Sequence, residues 1–340
     1  MDQQQYLQYV NAMLNKCFGM MTDPDKLYII LPFGLGDLLI SGGLTHAILP
    51  KFGKKSAVLI LQERFRSIDV NFDGVSDKKY LSYQELMSVR YYVNATRQFF
   101  GANFIYGHFH RDASNKIIWN ENIPFIDRYK ENVYDLPPDT PFHPPIVKDI
   151  SDDVKLRLHR DYVADKARTI ILAPYANSTP LLNHDFWQKL VEYLNRNGYI
   201  LYTNVGVNCL GIMEQPLFGT RPLGEKLNEL FYLADKVKCV IGLRSGLFDL
   251  IAFAKSNIIC LSRQKHFHYD DLKLNFPQSP SKIRTLYFDF EFFQKINALL
   301  KEHDVSGMQI GDIKHKFIPD GNIFWSEDSL LAAIIRAVEE

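Results

Sequence analysis

Two short stretches of this chain combine small residues with a charged group in a way that could serve chemistry. The first is Gly34-Leu-Gly36-Asp37, directly after the apolar run Leu27-Tyr-Ile-Ile-Leu31 and Pro32. Gly34 and Gly36 let a ligand approach the backbone, and Asp37 has two uses there. It can cap the helix that begins at the turn, or it can take a proton from a hydroxyl within hydrogen-bond reach. The second stretch is Gly242-Leu-Arg244-Ser245-Gly246-Leu-Phe-Asp249, where an apolar strand runs into a helix start. Free backbone N–H groups of Ser245 and Gly246, the positive helix end and the Arg244 guanidinium would converge there on one anion, with Asp249 at the edge of the loop. The alternative is that Arg244 pairs with a carboxylate of another domain.

Weaker candidates surround these two. Ala173-Pro-Tyr-Ala-Asn177-Ser178-Thr179 offers uncharged amide and hydroxyl groups suited to phosphate or ribose oxygens, or equally to bonding its own turn. Thr203-Asn-Val-Gly206 reads as a turn. His108-Phe-His110 and His266-Phe-His268 have an i, i+2 spacing that puts both rings on one face of a strand, but neither pair has a third ligand at zinc-site spacing, so no metal is expected. A nucleophile elbow, a P-loop lysine motif and HExxH are all absent from the sequence, which removes the commonest hydrolase and NTPase signatures.

The elements that must hold these residues follow from apolar spacing. Tyr6, Val10, Met13, Leu14 and Cys17 keep a helical period, so an amphipathic helix comes first. A strand at 27–31, a tight turn, a helix reaching residue 49 and a strand at 57–61 make one βαβ unit. Signals weaken over 63–145, where helix is expected around 83–92 and strand around 104–109. Residues 136–145 carry five prolines in ten positions, which disfavours helix and suggests an extended linker. Beyond it strands at 169–172, 199–204, 239–242 and 258–261 alternate with helices at 185–197, 225–234 and 245–254. Trp187, Leu190, Val191 and Leu194, and likewise Leu227, Leu230, Phe231 and Ala234, give each of two helices one apolar face for a sheet. Helices at 290–303 and 326–339 close the chain, the latter capped by Ser326. The expected architecture is α/β: two Rossmann-like parallel-sheet domains facing across a cleft, at 1–147 and 148–320, with 321–340 a candidate to cross back to the first domain. In such sheets ligands sit at the carboxyl ends of the strands, where the four unusual loops fall.

Composition narrows the partners. Lys plus Arg equals Asp plus Glu at 39 each, so no global field attracts nucleic acid or an anionic membrane. The four cysteines, Cys17, Cys209, Cys239 and Cys260, form no CxxC pair and suit reduced thiols in a cytoplasmic protein. The first residues lack the features of a secretory signal, and no apolar run approaches a membrane span.

Taken with these residues, the sequence resembles GT-B glycosyltransferases, and within them the lipopolysaccharide heptosyltransferase-like group, glycosyltransferase family 9. Ile30-Leu-Pro-Phe-Gly-Leu-Gly-Asp-Leu-Leu-Ile-Ser-Gly-Gly-Leu44 is similar to that group's strand, Gly-x-Gly-Asp turn and helix. Leu223-Gly-Glu-Lys-Leu-Asn-Glu-Leu through Val240-Ile-Gly-Leu-Arg-Ser-Gly-Leu-Phe-Asp-Leu-Ile-Ala-Phe-Ala254 is similar to its helix, strand and Ser-Gly helix start, and Asn177-Ser178 with Phe186-Trp187 fits its loop and tryptophan-bearing helix.

The resemblance implies a nucleotide-diphosphate sugar donor bound mainly by the second domain; there Arg244 and the Ser245 and Gly246 amides are expected to hold the diphosphate, with Asn177 and Ser178 helping to position it. It implies a glycan or lipid-linked glycan acceptor on the first domain, Asp37 as base, and inversion with neither metal nor cofactor. A lipid-linked acceptor would bring the protein peripherally to the inner face of a membrane. Arg244 and Asp249 depart from the group, which usually has an acidic or small residue before Ser-Gly and a histidine three residues after the glycine. ADP-heptose is therefore not named as donor. Two other readings use the same loops: a sugar-nucleotide epimerase with His110 or His266 as acid or base, and a non-catalytic nucleotide-sugar-binding subunit.

Overall fold

A computed structural model describes residues 3–32, 34–108, 123–176, 182–207, 212–263, 271–289, 323–324 and 326–340. The chain divides into two compact units, one of residues 1–150 with 226–228 and one of 151–225 with 229–340.

The first unit opens with helix α1 (Gln3–Gly19), strand β1 (Lys26–Leu31), helix α2 (Leu35–Lys51) and strand β2 (Ser56–Gln62). Strands β3 (Val70–Asn71) and β4 (Val75–Leu81), helix α3 (Tyr83–Thr96) and strand β5 (Phe104–Tyr106) follow. Helix α4 (Phe125–Arg128) runs into a π-helical turn, Tyr129–Val133, before strand β6 (Ile146–Val147). The main sheet has the order β4-β2-β1-β5 with every pairing parallel. Its central strand β1 is covered on both faces, which is why Leu27-Tyr-Ile-Ile-Leu31 is continuously apolar and continuously buried. Tyr28, Ile30, Val58 and Ile60 meet Leu86, Val89 and Val93 of α3 and Cys17 of α1 in one core cluster. Helix α3 starts with a reciprocal box: Ser82 Oγ accepts from the Glu85 amide, and Glu85 Oε2 accepts from the Ser82 amide.

The proline-rich run 136–145 differs from the extended linker expected of it. It is folded onto α2: the His143 amide donates to the Gly43 carbonyl at 3.0 Å, Phe142 is buried, and a Cβ at Gly43 would collide with the Phe142 ring and lie 2.6 Å from the His143 carbonyl. Proline forbids helix here but not packing, and Gly42-Gly43 supplies the close approach.

The second unit contains α5 (Asp152–Tyr162), β7 (Thr169–Ala173), α6 (His184–Arg196), β8 (Ile200–Asn204), β9 (Arg221–Leu223), α7 (Leu227–Lys236) apart from its first two residues, and β10 (Cys239–Leu243). Helix α8 (Gly246–Ile251), β11 (Asn257–Arg263), β12 (Lys282–Phe288), β13 (Ile323–Phe324) and a C-terminal helix (Glu327–Glu339) complete it. Seven strands run β13-β12-β11-β10-β7-β8-β9, all pairings parallel. The spacing read from the sequence in α6 is the packing spacing, since Phe186, Trp187, Leu190, Val191 and Leu194 all enter the core cluster under β7 and β10.

The C-terminal helix, a candidate crossover from its sequence, packs on its own unit's sheet: Leu330, Ala333, Ile334 and Val338 lie in that same cluster. Ser326 caps it as expected, accepting from the Ser329 amide. Helix α7 begins at Leu227, the first residue of its apolar period and two residues later than the expected 225. Glu225 stays outside it, accepting both arms of Arg157 at 2.8 and 2.9 Å and the Tyr162 hydroxyl at 2.7 Å. The helix expected at 290–303 lies outside the described residues.

Candidate active site

In the first unit the chemistry gathers where β1 and β5 end. Strand β1 stops at Leu31, the chain turns at Gly34, and α2 begins at Leu35 with Asp37 in its first turn. Asp37 reaches back so that Oδ2 accepts the Gly34 amide at 2.7 Å. The capping use foreseen for this acid is therefore real. It does not exhaust the carboxylate.

Asp37 Oδ1 also accepts a hydrogen bond from the hydroxyl of Tyr129, a fully buried residue at the head of the π turn. His108 Nδ1 lies 3.7 Å from the same oxygen. Burial opposes ionisation of Asp37, but His108, Tyr129 and the Gly34 amide together outweigh it and hold the carboxyl below its usual range. The product is an ionised, nearly enclosed carboxylate whose partners are two neutral donors and an imidazole.

His108 gets there because β5 ends sooner than the sequence suggests. The strand covers Phe104–Tyr106, and Gly107 and His108 form a turn, so the idea of two histidines sharing a strand face does not hold for His108. Gly107 donates to the Ile30 carbonyl at 2.9 Å, and a Cβ there would sit 2.7 Å from Tyr134 Oη and 2.8 Å from Leu31 Cδ2. With no side chain of its own Gly107 leaves both where they are as the turn meets β1, and the next residue is then delivered to Asp37. Tyr134 extends the same hydrogen-bonded layer, its hydroxyl donating to Ser41 Oγ of α2 at 2.6 Å. Gln62, the last residue of the neighbouring strand β2, is buried with its Oε1 lacking a partner.

In the second unit the corresponding turn joins β10 to α8. Gly242 sits tightly against the neighbouring strand β7, where a Cβ would be 2.7 Å from Ala173 Cβ. Ser245 takes the N-cap position with extended backbone and makes no side-chain cap bond. Ser245 and Gly246 are partly exposed. Arg244 and Asp249, expected to face a ligand, are 5% and 2% exposed and bonded to each other: Arg244 Nη2 lies 2.6 Å from Asp249 Oδ1, and Nη1 donates to the Ser245 carbonyl at 2.9 Å. The carboxylate partner that the alternative reading sought in another domain is five residues along the same segment. A guanidinium at a helix start needs a negative group to offset the dipole, and Asp249 in the first turn supplies it.

Other candidates resolve unevenly. Asn177, Ser178, His110, His266, His268 and Cys209 lie outside the described residues. Thr203 is buried against Thr220 Oγ1 at 2.6 Å and the Gly206 amide donates to Glu214 at 2.9 Å, so that loop is bonded to its own neighbourhood. Cys17, Cys239 and Cys260 are buried, and burial pushes the Cys17 and Cys239 thiols up to about 12. Among the described residues no group of three or more His, Cys, Asp or Glu could hold a metal ion, and no helix is long and apolar enough to cross a membrane. Tyr129 and Gln62 were not legible as site residues. Nothing in their neighbours' spacing marks them.

Two parallel sheets, each with a glycine-rich turn from a strand into a helix at its carboxyl edge, define a Rossmann-like α/β fold of the kind seen in GT-B glycosyltransferases. No family model matches the sequence, and no curated protein matches it. Among solved structures the chain is similar to the glycosyl transferase family 9 protein from Veillonella parvula DSM 2008, at 12% identity and a TM-score of 0.56, covering 94% of this chain and 99% of that one. It is also similar to E. coli ADP-heptose lps heptosyltransferase II, at 14% identity and a TM-score of 0.51, covering 82% of this chain and 100% of that one. At such identities the likeness is one of fold.

Proposed function

We propose that the protein is an inverting glycosyltransferase that moves a sugar from a nucleotide-diphosphate donor to a hydroxyl of a glycan or lipid-linked glycan acceptor. The observation that carries this reading is the ionised Asp37 carboxylate at the carboxyl edge of the first unit's sheet, fixed by Gly34, Tyr129 and His108. A carboxylate that is ionised and held in a fixed position can accept a proton from a hydroxyl brought within hydrogen-bond reach of it. The similarity in fold to a heptosyltransferase supports the donor class.

In the reaction the acceptor oxygen bonds to the anomeric carbon while the bond from that carbon to the phosphate oxygen breaks. The electron pair leaves on the nucleoside diphosphate. The hydroxyl proton leaves under the influence of Asp37. Donor contacts are assigned to Asn177, Ser178 and the amides of Ser245 and Gly246. Arg244 is assigned a positioning role, because its bond to the Ser245 carbonyl holds the turn while Asp249 offsets its charge. No metal is assigned to the leaving group, so turnover should survive EDTA. A lipid-linked acceptor would bring the protein to a membrane surface from the cytoplasmic side.

Asp37→Asn tests the reading. Release of nucleoside diphosphate should fall by ~10²–10⁴-fold, the usual contribution of a positioned acid or base, while donor binding measured by thermal shift is retained. Unchanged turnover would remove Asp37 from the mechanism. Product analysis without an acceptor separates transfer from epimerisation, which needs none.

A further inference from the structure

We infer that Gln62 is a specificity-determining residue for the acceptor: its side-chain amide, at the carboxyl end of β2, hydrogen-bonds one hydroxyl of a neutral sugar. The assignment rests on the glycosyl-transfer reading above and names a group that recognises the acceptor without activating it.

Gln62 carries an unmet polar atom. It is 7% exposed, and its Oε1 is buried with no hydrogen-bond partner. Burying an amide oxygen alone costs free energy, and most such atoms in folded proteins have partners. The strand before it offers a contrast, since Ala57-Val-Leu-Ile-Leu61 is apolar and buried throughout. An apolar side chain at 62 would continue that run without the cost. The amide interrupts it where the strand leaves the core for the edge at which ligands of parallel sheets bind.

The place of Gln62 in the fold gives that atom a use. Leu61 pairs with Leu31 across the sheet, so Gln62 lies one residue past the point where β1 stops and the chain turns toward Asp37. In dinucleotide-binding βαβ units the glycine turn puts a diphosphate at the helix start, and an acidic side chain about 20 residues further on binds a ribose hydroxyl. The βαβ unit Lys26–Gln62 keeps that frame and changes both contacts. At the helix start Asp37 already accepts the Gly34 amide at 2.7 Å and is held ionised, so a second anion there is repelled. At the strand end a neutral amide stands where those units use an acid. Both changes favour an uncharged ligand rich in hydroxyls over a phosphate.

A hydroxyl also suits the amide chemically. It donates and accepts, so it satisfies the enclosed end of the side chain whether that end is oxygen or nitrogen. The hydroxyl reaches Oε1 as the terminal amide turns about its last torsion, which is broad in glutamine. A site that uses a buried polar group in this way discriminates against a ligand lacking the hydroxyl, because the group is then left unpaired again. An enclosed water is the competing occupant, and it would need two or more polar partners.

Three measurements on the full chain test this. The first is the melting temperature of Gln62→Met and Gln62→Leu without ligand. At least one of them should melt at or above the wild-type temperature, because an unpaired buried acceptor has been removed. A lower melting temperature for both means that water already satisfies the oxygen, and overturns the inference.

The second is transfer to octyl glucoside, octyl galactoside and their monodeoxy derivatives, with UDP-, GDP- and ADP-hexoses as donors. For the intact acceptor kcat/KM should fall ~2–15-fold in Gln62→Met, the equivalent of one neutral hydrogen bond, with donor KM unchanged. One monodeoxy acceptor should lose a similar factor with the wild type and nothing further with Gln62→Met, as coupled groups do in a double-mutant cycle. Equal kcat/KM for the two proteins, or additive losses at every deoxy position, overturns the inference while leaving glycosyl transfer intact.

Absence of wild-type turnover with every probe counts against the glycosyl-transfer reading instead. Binding of the same glycosides alone, read by saturation-transfer NMR, is the third measurement and then decides the role of Gln62. Binding by the wild type that weakens in Gln62→Met supports it, and no binding, or equal binding by both proteins, overturns it.

Discussion

The turns at 31–37 and 243–249 are built alike and end differently. Each leads from a buried parallel strand into a helix, and each places an aspartate in the helix's first turn. In the first unit Asp37 meets an amide, a phenol and an imidazole, so its charge is held but not cancelled by them. In the second unit Asp249 meets the Arg244 guanidinium, and the charges of the two neutralise each other in a buried pair. An acid at a helix start thus has no fixed meaning. What its oxygens face decides whether it is a chemical group or a structural one.

That contrast is broken most sharply by making the same change on both sides. Asp37→Asn should cost mainly turnover, by the ~10²–10⁴-fold given above, with the fold intact because the amide oxygen can still accept from Gly34. Asp249→Asn should do the reverse. It leaves the Arg244 charge buried without its carboxylate, and removing one partner of such a pair typically costs ~3–5 kcal/mol. Urea unfolding of the two variants side by side checks this. The double variant Arg244→Met, Asp249→Leu should recover most of the lost stability, since buried ion pairs can be replaced by apolar side chains of similar size at little cost.

Tyr129→Phe sharpens the first half of the comparison. It deletes a hydrogen bond to a charged group, worth ~1.5–3 kcal/mol. It should also raise the Asp37 pKa toward its ordinary value, because one of the groups that lowers it is gone. A Tyr129→Phe protein with unchanged stability would mean that the phenol contributes nothing to holding the carboxylate.

The smallest effect concerns acid. Arg157 and its neighbours hold Glu225 down to about 2 from 4.5. A depressed carboxylate stabilises the fold at pH above its unfolded value, and that contribution disappears as pH falls through the folded one. The second unit should therefore lose stability between about 4.5 and about 2. Asp37 acts in the same direction in the first unit, below its reference value of 3.8. Arg157→Ala should shift the acid transition of the second unit to higher pH, and fluorescence-monitored acid titration would show it. Arg157 is half exposed, so solvent screening keeps the effect modest.

Much of this fold is legible in the sequence because parallel sheets bury their strands on both faces. Leu27-Tyr-Ile-Ile-Leu31 and Cys239-Val-Ile-Gly-Leu243 read as strands for that reason, and α6 shows its buried face at helical spacing. β4 escapes because it is the edge strand of its sheet. Its Val-Ser-Asp-Lys-Lys-Tyr-Leu alternation carries three charges in the middle, as an edge exposed to water permits.

The site is less legible than the fold. Asp37 stands out through its glycines, but Tyr129 arrives from 92 positions away on a π turn, a geometry that no apolar period encodes. Arg244 was visible as a charge needing a partner. Its own sequence offered Asp249 at a spacing of five, and only the helix start at Gly246 brings the two side chains together.

The central claim is that the Asp37 turn performs chemistry on a nucleotide sugar. The most direct measurement is nucleoside diphosphate release from a panel of nucleotide sugars, by wild type and Asp37→Asn in parallel, with thermal stability read on the same samples. The account predicts that at least one nucleotide sugar stabilises both proteins equally and that only the wild type releases its nucleoside diphosphate. Equal release by both proteins, or no stabilisation by any of the panel, would contradict it.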